Sequence, residues 1–356
     1  MAKILSRIVG AILLLALLIY VILRILLAPQ VSPGKILAVA PFSHVFIIVM
    51  ENHGTQMLTH NSNTPYIDRL MATYGLDTQY DGITHPSLPN YLGLVSGSTK
   101  GQITDNPQTS FKGPTLISQL QSHHKTWQSV MESIPNPGYT GAWYPDPTRS
   151  RSVLAPPNAL YAKKHDPFAF FDSIGRQSLT RHTSNLSQFG TELKQGTVPN
   201  LVFITPNLCH DMHGQPNQVG ASCPVSHVTQ LERQGNRFLA TWVPRIQRSP
   251  SWSGNSVIFI LWDEANFPTQ VSGVASYLRG APGTPRILGV PFGGGAVPLI
   301  VIDHQVTHGQ QVKIVCNHYC VLKTIQSSWQ LGYLGATRNP SVKTLVPLVP
   351  GLHSSR

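Results

Sequence analysis

Residues 44–52 read His-Val-Phe-Ile-Ile-Val-Met-Glu-Asn, an unbroken apolar, β-branched run that ends abruptly in a carboxylate and an amide. No polar residue alternates through it, so both faces of the strand it predicts need cover, as in a buried parallel sheet. Far downstream, residues 256–264 repeat the pattern as Ser-Val-Ile-Phe-Ile-Leu-Trp-Asp-Glu. In open α/β sheets ligands bind beyond the carboxyl ends of the strands, so Glu51-Asn52 and Asp263-Glu264 fall where a site belongs. Between them lies His85-Pro86-Ser87-Leu88-Pro89-Asn90-Tyr91, whose two prolines stiffen a turn that presents the Ser87 hydroxyl.

Working outward, residues 201–205 and 298–302 read as further strands, while residues 65–74 and 228–246 carry helical spacing. A helix is also expected over residues 91–95, after the Ser87 turn. The alternation predicts an α/β fold with a mainly parallel central sheet flanked by helices. Residues 134–171, rich in Pro, Tyr and Trp, read as a loop-rich insertion over the site. No internal repeat is present.

Only 12% of the 356 residues are charged, and Gly and Pro number 29 each, so large loops rather than long solvated helices connect the elements. The formal charge of +11 favours anionic surroundings: nucleic acid, an anionic membrane face or phosphorylated substrates. No Lys/Arg run with interleaved aromatics occurs, which ranks nucleic acid last. The partners expected are a phosphorylated small molecule or a phospholipid, with no nucleic acid and no obligate protein partner.

From Ile8 to Leu27 the chain is almost wholly apolar, with Lys3 and Arg7 before it and Arg24 near its far end. About twenty helical residues span roughly 30 Å, the thickness of a bilayer core. The expected organisation is a signal anchor or transmembrane helix over residues 1–28, a linker over 29–41 and a catalytic domain over 42–350. The basic flank places that domain outside a single-pass cell membrane. A cleaved signal peptide ending at Ala38-Val39-Ala40 is the alternative, although that site is far from the apolar run and precedes Pro41. Four cysteines fit an exported domain. The locally closed pairing joins Cys209 to Cys223 and Cys316 to Cys320; a four-thiolate zinc site and free buried thiols are the rival readings.

A serine hydroxyl is a weak nucleophile at neutral pH unless a base or a metal lowers its pKa. Ser87 lacks the Gly-x-Ser-x-Gly elbow of α/β-hydrolases. Oxygen ligands from Glu51, Asn52, Asp263 and Glu264 instead suit a divalent cation that binds the Ser87 oxygen and polarises a phosphoryl oxygen. Taken singly, Asp263 and Glu264 read as well as helix caps, and Ser87 as a helix start.

Taken in order, the motifs resemble the bacterial phosphoesterase family, which holds acid phosphatases and phosphatidylcholine-type phospholipases C within the alkaline phosphatase-like superfamily. The motifs are Glu51-Asn52, Pro86 to Tyr91, Thr205 to His213 (TPNLCHDMH), Trp262-Asp263-Glu264 and Asn317-His318-Tyr319. The resemblance runs from about Phe42 to Leu334 and implies an alkaline phosphatase-like fold. It also implies metal-dependent hydrolysis of phosphate monoesters through a phosphoserine, with phospholipase C-type head-group cleavage or a non-catalytic tethered protein as alternatives. By resemblance Ser87 is the nucleophile and a metal ligand, and Asn52 touches both metal and phosphate. Glu51, Asp211, Asp263 and Glu264 are metal ligands, and His85 and His213 are catalytic. His165, in Lys163-Lys164-His165-Asp166-Pro167, resembles a family Lys-His-Asn-Pro segment and contacts phosphate, though its lysines read equally well as a solvated patch. His318 and Asn106 contact substrate, while His308-Gly309 competes with His318 as the late metal ligand. Two departures bear on the metal geometry: His210 stands where the family usually has Asn, and Gly214 where it has Asp. Carboxylates lean toward magnesium, calcium or manganese, whereas histidine ligands pull toward zinc or iron.

Overall fold

Val45–Met50 forms strand β1, and all six of its residues are buried. In this computed structural model the described residues are 39–145, 151–266, 271–303 and 309–349, without the side chains of 271–273. All belong to the unit that starts at Ala38. The expected anchor, nearly all of the linker and His308 lie outside the described residues. Among the described residues, no helix is long and apolar enough to cross a membrane.

Eight strands make the central sheet. After β1 come β2 (Gly75–Asp77), β3 (Trp127–Met131), β4 (Thr183–Ser184), β5 (Leu201–Thr205), β6 (Val257–Trp262), β7 (Leu299–Asp303) and β8 (Gln311–Val312). Their order is β8-β2-β7-β6-β1-β5-β3-β4. At the centre, Val45 pairs in parallel with Leu201 on one side and Val257 on the other, and Met50 lies opposite Trp262. Successive side chains of a strand point to opposite faces, so the complete burial of β1, β5 and β6 means that both faces are covered. The sheet is mainly parallel; β7 alone among these strands runs against its neighbours, β6 and β2. Both edge strands, β8 and β4, are two residues long, which leaves little unpaired backbone to recruit another chain.

The helices that frame the site are α1 (Pro65–Thr73), α2 (Ser87–Ser96), α3 (Leu186–Gln195), α4 (Val228–Gln247) and α5 (His318–Ser328). In α1, Pro65 opens the helix, where its missing N–H costs nothing, and Ile67, Leu70 and Met71 form the buried stripe. In α4, Leu231, Phe238, Leu239, Trp242, Val243 and Ile246 do the same over five turns. Gly235 lets α4 close on the sheet, because a Cβ there would lie 2.4 Å from the Met212 side chain. Asn317 caps α5, its side-chain oxygen accepting from Tyr319 N at 3.1 Å. Helix α2 packs on α5, and α1 and α3 pack on α4.

Two expectations change. Helix α2 begins at Ser87 itself rather than at Tyr91, since Pro89 lies in the first turn, where proline is tolerated. The insertion at 134–171 is not bare loop: Trp143–Tyr144 pairs with Tyr161–Ala162, and short 3-10 turns follow at 163–165 and 167–170 and pack on α2. The cysteines form disulfides Cys209–Cys223 and Cys316–Cys320, so neither zinc nor a free thiol claims them.

Candidate active site

The parallel strands deliver their acidic termini to one edge of the sheet. Glu51 follows β1 and its N–H donates to the Asp211 carbonyl at 2.8 Å. Asp263 follows β6 and its N–H donates to the Met50 carbonyl at 2.9 Å. Immediately after two of these acids the backbone turns through left-handed conformations, at Asn52 (φ 53°) and Met212 (φ 81°). Non-glycine residues pay for such angles, and they cluster at functional sites.

Ser87 sits at the first position of α2, 1% exposed. Its hydroxyl donates to Glu51 Oε2 at 3.1 Å and accepts from Lys164 Nζ at 3.2 Å. The same ammonium donates to Asp105 Oδ2 and to His213 Nε2, each at 3.0 Å, which uses all three of its hydrogens. Burial works against the charge on Lys164, but Asp105 and Glu51 override it and hold the ammonium above its ordinary pKa. Burial likewise pushes Asp105 up, and Lys164 overrides it and keeps the carboxylate ionised. Asp105 Oδ1 also accepts from Leu88 N at 2.9 Å, fixing the helix start. The dipole of that helix end favours negative charge at Ser87.

Asn90, one turn along α2, ties the preceding loop. Its side-chain oxygen accepts from Ile83 N (2.8 Å) and Thr84 N (3.2 Å), while its amide donates to Thr84 O (2.7 Å) and Glu264 Oε2 (3.2 Å). His85 Nδ1 lies 2.9 Å from Glu264 Oε2, and its ring stacks on Tyr277. Burial holds the His85 pKa down, to about 4.

Beside Ser87 lies an acidic pocket that fits a divalent cation. Glu51 Oε1 and His165 Nε2 approach to 3.0 Å without hydrogen-bond geometry, and Asp211 Oδ2 and Asp263 Oδ2 are also buried without a hydrogen-bond partner. Atoms of Glu51, His165 and His213 lie within 4.8 Å of one another. His213 Nδ1 donates to the Gly214 carbonyl at 2.7 Å, and its Nε2 lone pair accepts from Lys164. Buried, mutually facing lone pairs are costly unless a cation lies between them. Burial, then mutual repulsion with Asp263, raises the Glu51 and Glu264 pKa values; burial raises Asp211 and brings Asp263 to about 7. Burial and Lys164 depress His165, and bring His213 to about 3. Neutral imidazoles and crowded carboxyls form a donor set suited to a metal of mixed oxygen and nitrogen ligation.

The structure thus brings together Glu51, Asn52, His85, Ser87, His165, Asp211, His213, Asp263 and Glu264. Asn52 joins through its backbone, N–H to Asp263 Oδ1 at 3.3 Å. His165 sits among the candidate metal ligands, 3.2 Å from Asp211 Oδ2, and the lysines before it are buried rather than solvated. His318 has both ring nitrogens engaged within the protein: Nε2 donates to the Asp263 carbonyl at 2.6 Å and Nδ1 accepts from Tyr80 Oη at 2.7 Å, so it braces the acidic loop. The Asn106 side-chain oxygen closes a local turn, accepting from Gln108 N at 3.0 Å. Its neighbour Asp105 faces the site instead. His210 turns away to Glu132 at 2.9 Å, and at Gly214 a Cβ would lie 2.8 Å from Val225 Cα, so no aspartate fits there in this backbone. Sequence reasoning missed Lys164, Asp105 and Asn90. Only Asn90 carried a usable signal, lying three residues from Ser87 and so on its side of the helix.

The phosphoesterase family model matches residues 56–332. A phosphate-repressible acid phosphatase of Penicillium chrysogenum is 26% identical over 260 residues, 72% of this chain and 52% of that protein. A phosphatidylinositol-3-phosphatase of Mycobacterium tuberculosis is 29% identical over 231 residues, 64% of this chain and 65% of that protein. The chain therefore spans between half and two thirds of the length of these curated relatives. Among solved structures, a protein in the alkaline phosphatase superfamily from Vibrio parahaemolyticus has a TM-score of 0.51 at 12% identity, covering 89% of this chain and 74% of its own. A lipoteichoic acid synthase of Listeria monocytogenes has a TM-score of 0.52 at 10% identity, covering 90% and 79%. At such identities the likeness establishes the fold, an alkaline phosphatase-like α/β architecture. The family match spans most of the sequence and takes in Ser87, Asp211 and Asp263 together: this chain belongs to the phosphoesterase family.

Proposed function

We propose that this chain is a phosphate-ester hydrolase of acid phosphatase type, acting on phosphate monoesters through a phosphoserine at Ser87. The observation that carries the reading is the Ser87 hydroxyl held between Glu51 Oε2 and the Lys164 ammonium at a helix N-terminus. The names of the relatives from Penicillium chrysogenum and Mycobacterium tuberculosis support the substrate class.

In the first step the Ser87 oxygen bonds to phosphorus as the bond from phosphorus to the ester oxygen breaks. Glu51 Oε2 takes the hydroxyl proton. Lys164 and the N-terminus of α2 offset the charge gathering on the phosphoryl oxygens. Glu264, whose carboxyl burial favours in its protonated form, gives its proton to His85 Nδ1 as the Nε2–H of that ring passes to the departing oxygen. Water then attacks phosphorus in line, giving a proton to His85 Nε2, while the Ser87 oxygen leaves and takes back the proton held by Glu51. A divalent cation held by Glu51, His165, Asp211 and Asp263, with His213 beside them, would act as Lewis acid; magnesium, calcium, manganese and zinc are the candidates. Residues 8–27 would anchor the domain outside the membrane.

Ser87→Ala should lower turnover of para-nitrophenyl phosphate by about a thousandfold or more with the melting temperature retained. Chelation should abolish activity and a divalent cation restore it. Full activity in Ser87→Ala, or chelator-indifferent cleavage of an acetyl ester, would replace this reading with another.

A further inference from the structure

Beside the site the chain projects a ribbon in which Arg286–Ile287 pairs antiparallel with Val290–Pro291. Its tip is apolar and open to solvent: Leu288 is 99% exposed, Ile287 63% and Val290 53%, with Leu278 and Phe292 exposed toward its base. Contiguous exposed apolar side chains of this kind mark a contact surface. The ribbon is preformed. Arg286 Nη1 donates to the Gly289 carbonyl and Phe292 N to the Pro285 carbonyl, both at 2.9 Å, while Arg279 at the base pairs with buried Asp81 at 3.2 Å.

Both ends of the ribbon are part of the catalytic rim. It leaves from Tyr277, whose ring stacks on His85, and returns through Gly293, whose N–H donates to the Tyr277 carbonyl at 2.9 Å. Gly294 then bonds to Gly82 and accepts from Ala265, the residue after Glu264. Between Glu264 and Asp303 the sequence has no acidic residue, and with Arg279 paired to Asp81 it is Arg286 that carries positive charge on the ribbon arm.

We infer that this ribbon docks on an anionic bilayer, dipping Ile287 and Leu288 below the headgroups, so that the phosphate taken by Ser87 is carried on a lipid headgroup. The inference rests on the phosphatase reading above and narrows its substrate class. An apolar tip flanked by arginine is the composition of interfacial membrane anchors, whose apolar face enters about 5–10 Å into the headgroup region. A protein partner is the weaker candidate, because a narrow tip offers far less than the roughly 800 Å² per side of a stable interface.

All four cysteines are disulfide-bonded, so Leu288→Cys introduces one free thiol for an environment-sensitive dye. The full chain would be reconstituted in phosphatidylcholine vesicles with and without phosphatidylglycerol, with Val219→Cys, on another exposed loop, as control. The dye at 288 should shift to the blue and be quenched by doxyl-labelled lipid in the anionic vesicles, with the dye at 219 unaffected. Ile287→Thr/Leu288→Asn, the asparagine suiting the left-handed backbone at 288 (φ 49°), should cut hydrolysis of vesicle-borne phosphatidylinositol phosphate by about tenfold or more. Para-nitrophenyl phosphate hydrolysis should stay within about twofold, since the ribbon tip touches no catalytic group. An unquenched dye at 288 overturns the inference and leaves the tip to a protein partner. Equal loss on both substrates also overturns it. Inactivity of the unaltered chain on para-nitrophenyl phosphate would strike the phosphatase reading instead, which the dye measurement does not depend on.

Discussion

Lys164 shows how much of the site depends on one buried charge. Its three hydrogens go to Ser87, Asp105 and His213, and it is 7% exposed. Lys164→Met keeps the bulk and removes the charge, so kcat on para-nitrophenyl phosphate should fall by about a hundredfold or more; a change under about threefold would remove it from the mechanism. In the sequence this lysine looked like half of a solvated basic pair, because nothing local announces that three acceptors surround it. Asp105 and Asn106 were confused for a related reason: in a loop no periodicity fixes which of two adjacent side chains turns inward. Glu51, Ser87 and Asp263 were legible because each directly follows a strand or opens a helix, where geometry dictates direction; Asp211, six residues beyond β5, was legible only through the Thr205 to His213 motif. His318 was legible as important but not in kind, since a ring that braces the Asp263 carbonyl and one that binds phosphate look alike in sequence.

At the level of elements, the apolar runs at 45–50, 201–205 and 257–262 were readable because a strand covered on both faces tolerates few other sequences. Strand direction was not readable, and the antiparallel course of β7 went unforeseen, because a buried run carries no mark of its polarity. Proline misled at α2: Pro86 caps the helix in an extended conformation, and Pro89 lies in the first helical turn, which tolerates it. Ile260 lies fully buried at the centre of β6, between Ile48 of β1 and Ile300 of β7. Ile260→Ala should cost about 2–5 kcal/mol by chemical denaturation. A loss below about 1 kcal/mol would mean that the centre of the sheet is less tightly packed than described.

For the whole molecule, the balance of buried acids and histidines sets a pH profile. Burial brings Asp81, Asp166 and Asp263 to about 7. Their folded pKa values exceed the unfolded value near 4, so metal-free stability falls as pH rises through about 7. Burial lowers His53, His85 and His318 to about 4 and His213 to about 3. These folded values lie below the unfolded 6.5, so their contribution is present above about 6.5 and is lost as pH drops toward 4. Chelator-treated protein should therefore have a melting temperature about 5 °C lower at pH 8 than at pH 6, which a divalent cation restores. A metal-free melting temperature that climbs steadily from pH 6 to 8 would contradict this balance.

The whole mechanism depends on Ser87 carrying the phosphoryl group. Rapid acid quenching during turnover of a phosphate monoester, followed by mass spectrometry of the peptide that holds residues 85–91, reads this directly. The account predicts one added phosphate on Ser87, absent in Ser87→Ala and in chelated protein. Sustained turnover with that peptide unmodified and phosphate found on another residue, or on none, would contradict it.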